Sequence, residues 1–121
     1  MTLREAIDRT DSLKHNTYTT AEKVDWLNRL DGLIKTQIFD THEGETLHFD
    51  GYDEATDMDM ELLVEAPYDE IYIHWLESKI DYYNGEIARY NNSAMMYQAA
   101  YDAYQRYYNR NHMPKGQIFK F

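Results

Sequence analysis

The chain has 121 residues, the length of one ordinary domain, with 12 tyrosines, no cysteine and a formal net charge of −10. The lack of cysteine excludes disulfides and thiolate metal sites, and no apolar run approaches the ~20 residues needed to cross a bilayer. Charge is uneven: no lysine or arginine lies between Lys35 and Lys79, where more than half of the 22 acidic residues fall, while the stretch from Lys79 onward is mildly basic. A middle of that sign repels a nucleic acid backbone, whose grip needs clustered Lys and Arg.

Thr2-Leu-Arg-Glu5 fits a capping box and predicts a first helix over residues 2–14, with Leu3, Ala6, Ile7 and Leu13 on one side. The opening "MTLREAIDRT" has neither the basic nor the apolar region of a secretory signal, so an intracellular soluble protein is expected. "HNTYTT" breaks the helix, because short polar side chains compete for backbone hydrogen bonds. A second capping box at Thr19-Thr-Ala-Glu22 opens a helix over residues 20–40. Its apolar positions, Val24, Leu27, Leu30, Ile34 and Ile38, recur at helical spacing.

Residues 41–66 read as a long acidic loop, extended and solvated by the mutual repulsion of its carboxylates. Within it "ETLHF" and "ELLV" are short strand or extended-arm candidates. Pro67 reads as the first position of a third helix, with Asp69 and Glu70 near its positive end. From Ile73 to Tyr108 the apolar residues alternate three and four apart, which leaves two arrangements open. One is a continuous, kinked helix over residues 67–110; the other is an antiparallel hairpin of helices 67–90 and 93–110, broken at Asn91-Asn92. A break or kink is preferred on helix length. Asn111-His-Met-Pro114 stops the pattern, leaving residues 111–121 as a basic, aromatic tail. The expected fold is thus all-α, a small bundle of about four helices in a single domain.

Chemistry is sparse. The five histidines are scattered, and none belongs to an HExxH motif. His74 and Glu77 reverse the Glu-x-x-His order of di-iron bundles, and a half-exposed histidine beside Trp75 explains them more simply. Counting a calcium loop from Asp57 puts Leu62 at its sixth position and Tyr68 at its twelfth, where glycine and glutamate are needed. With no cysteine nucleophile, no GxSxG and no glycine-rich phosphate loop, the expectation is a protein that is not an enzyme and carries neither metal nor cofactor.

"YQAAYDAYQRYYNR" (Tyr97–Arg110) places five tyrosines in fourteen residues. Aromatics at helical spacing are usually core, and Tyr83, Tyr90, Tyr97, Tyr101 and Tyr104 are assigned there. Adjacent pairs cannot share one helix face, and tyrosine suits half-wet boundaries. Tyr82, Tyr107 and Tyr108 are therefore the interface candidates.

Several blocks, "WLNRLDGLI", "THEG", "ELLVEAPYDEIYIHWLESKIDYYNGEIARYNN" and "YYNRNHMP", resemble prophage head–tail connector proteins, also called adaptor or head-completion proteins. Between them they extend over most of the chain. The resemblance implies a non-catalytic virion subunit, found in the host cytoplasm before assembly, that forms a ring beneath the portal and extends the DNA channel. It also implies a platform for the tail or stopper protein, and subunits that can be monomeric when isolated. DNA would pass through without specific binding. By position, the tail would engage the portal, with Ile118 and Phe119 as its contact residues. Glu43, Glu45, Asp50, Asp53, Glu54, Asp57, Asp59 and Glu61 would face the channel and repel DNA. Two rivals come from other classes: an acidic DNA mimic that inhibits a nucleic-acid enzyme, and a metal-dependent enzyme on a helical bundle.

Overall fold

Thr2 turns the chain into α1 (Leu3–Leu13): its hydroxyl accepts the Glu5 amide at 3.1 Å, and the Glu5 carboxylate accepts the Thr2 amide at 3.4 Å. The capping box is complete. Thr19 opens α2 (Thr20–Gln37) by accepting the Glu22 amide at 3.1 Å. A computed structural model describes residues 1–43 and 48–115, and adds α3 (Ile71–Tyr83) and α4 (Ile87–Asn111). Among the described residues there is no strand, only single bridges joining Thr2 to Glu61 and His42 to Pro114. The fold is all-α, and no helix among the described residues is long and apolar enough to cross a membrane.

The core forms where the apolar faces meet. Leu3, Ala6 and Ile7 from α1 join Val24, Leu27, Leu30 and Ile34 from α2, then Leu76 and Ile80 from α3 and Tyr101 and Tyr104 from α4. Leu13, expected on the same face as Leu3, is 68% exposed because it is the last residue of α1. Every buried side-chain nitrogen and oxygen among the described residues has a hydrogen-bond partner, as stable interiors require.

α3, with the 3-10 turn before it, and α4 form an antiparallel hairpin, seen in ring pairs ever farther apart in sequence as one helix descends and the other climbs. Tyr82 meets Tyr90 at 5.4 Å between ring centroids, Trp75 meets Tyr97 at 4.8 Å, and Tyr68 meets Tyr107 at 4.6 Å. The break is not at Asn91-Asn92, which lie inside α4, but at Asn84-Gly85-Glu86. Gly85 adopts a left-handed φ of 72°, its amide donates to Tyr82 O at 3.1 Å, and the Glu86 amide donates to Asp81 O at 3.1 Å. This is a Schellman stop, available because glycine has no Cβ to clash. The expected boundaries 67–90 and 93–110 are corrected accordingly. Pro67 precedes a 3-10 turn at Tyr68–Glu70, and the α-helix proper begins at Ile71.

The acidic connection departs from expectation too. From residue 48 to 67 it is a strap fastened to the bundle rather than a free, solvated arm. Tyr52, Leu62 and Val64 are buried. The Leu3 and Arg4 amides donate to Met60 O and Met58 O at 3.1 and 2.9 Å, and the Leu62 amide donates to Met1 O at 2.9 Å. Burial of a few apolar side chains outweighs charge repulsion among carboxylates that still point to water. "ELLV" therefore pairs at Glu61 alone, and "ETLHF" lies mostly outside the described residues.

Candidate protein-interaction surfaces

One buried carboxylate holds the strap. Asp31 on α2 is fully buried and accepts hydrogen bonds from the Tyr52 hydroxyl at 2.5 Å, the Tyr72 hydroxyl at 2.6 Å and the Leu63 amide at 3.1 Å. Burial pushes the Asp31 carboxyl above its ordinary range, and the three donors offset part of that rise. Burial, with the neighbouring carboxylate, pushes the Tyr52 and Tyr72 hydroxyls well upward, so they remain donors. A step earlier, the Tyr52 amide donates to Asn28 Oδ1 at 2.8 Å. Gly51 makes that approach possible: its φ is 88°, and a Cβ there would lie 2.9 Å from the same oxygen.

With its inner side latched, the strap presents acid outward. Asp50, Asp53, Glu54, Asp57, Asp59 and Glu61 are all exposed, as is Glu43 ahead of the strap; Glu45 lies outside the described residues. Some of these carboxylates shape the strap itself. Asp53 and Asp57 accept the amides two residues ahead at 2.8 and 2.9 Å, which is why they sit at its bends. Asp59 pairs with Arg4 at 3.0 Å and Glu61 with the amino terminus at 3.0 Å. Asp50 meets His48 Nε2 at 2.7 Å. Among the described residues no three His, Asp or Glu side chains converge as a metal site would need.

The interface tyrosines separate. Tyr82 is 59% exposed. Tyr107 and Tyr108 are half-buried, and contacts within the chain account for both. Tyr107 stacks on Tyr68, while Tyr108 stacks on His112 at 3.8 Å and packs against Phe39 at 5.1 Å. Adjacent residues on a helix do point apart, but the turn after α2 and the turn before α3 fill both directions. Both rings therefore have partners within the chain. The Glu43 amide donates to Met113 O at 2.6 Å, and the Lys115 amide donates to Thr41 O at 2.7 Å, pinning the start of the tail. Ile118 and Phe119 lie outside the described residues.

The exposed aromatics gather instead at the hairpin tip. Tyr83 and Ile87, which the sequence pattern places in the seam, are 57% and 73% exposed. Tyr90 and Tyr97 are half-buried, so only Tyr101 and Tyr104 of the five expected core tyrosines are fully enclosed. The reason is partial cover: Trp26 of α2 stacks on one face of Tyr83, and among the described residues neither α1 nor α2 lies over Ile87 at the start of α4. Between the two helices lies an open groove of about 520 Å³ walled by Trp75, Tyr82, Tyr83, Tyr90 and Tyr97, with Ala94 and Lys79 among its other lining residues. The Trp75 indole donates to Trp26 O at 2.7 Å, and Trp26 stacks under Tyr83 at 5.6 Å, so α2 braces this wall. Burial raises the Tyr97 hydroxyl above its ordinary value.

The opposite flank of the hairpin is polar and self-satisfied. Lys14 Nζ reaches both oxygens of fully buried Asp81 at 2.7 Å, and the Ser93 hydroxyl donates to the same carboxylate at 2.8 Å. His74 and Glu77 line the shallow cavity above this cluster.

Sequence reasoning missed Trp75, Lys79, Tyr83, Ile87 and Tyr90 as surface residues. The signal was present in Asn84-Gly85, a helix stop whose position makes every aromatic beside it a tip residue. Comparison of the chain with family models, with curated proteins and with solved structures found no match.

Proposed function

We propose that the chain is a structural subunit of a phage head–tail connector, assembling as a ring beneath the portal and offering a platform to the tail. The observation that supports this reading best is the open aromatic groove along the α3–α4 hairpin, a surface that no element among the described residues covers. Aromatic, half-wet surfaces of this kind are enriched where proteins meet. The resemblance of the sequence blocks to connector proteins supplies the kind of assembly. Within it, the strap with its outward carboxylates faces the DNA channel or the next ring, where its charge keeps DNA from sticking. The tail beyond Asn111 faces the portal. Quantitative mass spectrometry of purified particles tests the proposal: several copies of the chain per portal ring support it, and absence from particles removes it.

A second reading has one observation in its favour. The strap is held in place through Asp31 and Asn28, so its carboxylates form a fixed array, as a DNA-mimicking inhibitor requires. Binding to a basic nuclease that DNA displaces would favour that reading over the first.

A further inference from the structure

The groove holds an unused charge. The Lys79 ammonium lies 4.4 Å above the Trp75 ring, and among the described residues no carboxylate comes within ion-pair distance of it. Burial lowers the Lys79 pKa, and the positive charge of Arg29 adds to that effect. A partly desolvated ammonium in an aromatic trough suits a segment that alternates carboxylates with apolar side chains.

The same chain displays such a segment. Asp57-Met58-Asp59-Met60-Glu61 alternates acid and methionine; Met58 packs inward against the core, Met60 is 46% exposed, and exposed Asp53, Glu54 and Asp57 make no ion pair among the described residues. One copy cannot bring the two surfaces together. Asn28 and Asp31 hold the strap on one side of α2, while Trp26, roughly opposite on the helix, braces the groove. Two complementary surfaces on opposite sides of one subunit make a head-to-tail contact, which propagates and closes as a ring when the rotation allows.

We infer that the α3–α4 groove seats one stretch of the acidic strap of a second copy of this chain, with Lys79 pairing with one carboxylate there and the other strap carboxylates left facing the channel. This rests on the assembly reading above and names the surfaces it uses. The test is zero-length carbodiimide coupling of an equal mixture of ¹⁴N- and ¹⁵N-labelled full-length chain at millimolar concentration. Peptides of mixed isotope joining Lys79 to residues 50–61 are expected. Their absence, or mixed links from Lys79 to carboxylates outside the strap, overturns the inference. Sedimentation gives an independent arm. Lys79→Glu, with unchanged circular dichroism, weakens self-association about tenfold, and a partner carrying Glu54→Lys and Asp57→Lys restores it. Association unmoved by Lys79→Glu overturns the inference as well. Failure of the connector reading looks different, since normally tailed particles made without the gene would leave the mixed cross-links in place.

Discussion

The Tyr72 hydroxyl donates to Asp31 at 2.6 Å while accepting the Val64 amide at 2.7 Å, so one buried oxygen ties α3 to α2 and to the strap together. Tyr72→Phe removes that oxygen and leaves both partners short of a bond. The expected loss is about 1–3 kcal/mol of folding stability, read from urea unfolding. Amide exchange accelerates at Leu63 and Val64 before it does elsewhere.

Asp31 also sets a pH dependence. Its carboxyl titrates above the unfolded value, so the folded chain holds this proton more tightly than the unfolded one does. That contribution is fully present below the ordinary carboxylate pKa and disappears as pH rises through the raised value. Asp31→Asn flattens this component of the stability profile. A mutant profile falling as steeply as the wild type's over that window assigns the slope to another group.

Asp81 is buried against Lys14 and Ser93 in the last turn of α3, just before the hairpin's turn. Asp81→Ala leaves the Lys14 ammonium without its close partner in a site only 19% exposed, with Glu77 4.0 Å away. A loss of about 3 kcal/mol is expected from thermal or urea unfolding. Glu86→Ala, which cuts only an exposed pair with Arg89, changes stability by less than about 0.5 kcal/mol.

Tyr82 and Tyr107, both interface candidates by sequence, now behave differently. Tyr107→Ala removes the ring stacked on Tyr68 and costs about 1–2 kcal/mol. Tyr82→Ala leaves stability within about 0.5 kcal/mol while weakening self-association. Equal effects of the two substitutions on unfolding midpoints contradict this division.

Local signals carried the first half of the chain well. Two capping threonines and the spacing of Val24, Leu27, Leu30, Ile34 and Ile38 predict α1 to within a residue at each end and the start of α2, because both depend on neighbours in sequence. α2 ends at Gln37, short of the expected residue 40, where a 3-10 turn at Phe39–Thr41 takes over. The strap was not legible, since its place is set by Asp31, Tyr52 and Tyr72, which lie far apart in the chain. Nor does periodicity say how fully a helix is covered, so Tyr83 and Ile87 keep the phase of a core seam while more than half exposed. Asn84-Gly85 was the legible clue to that outcome, and the longer rhythm of apolar residues masked it.

The connector role is tested most directly by electron microscopy of particles from an induced prophage in which this gene has been deleted. A connector predicts DNA-filled or leaking heads beside unattached tails, with tailed particles restored when the wild-type gene is supplied. Tailed particles in wild-type numbers from the deleted prophage would contradict it.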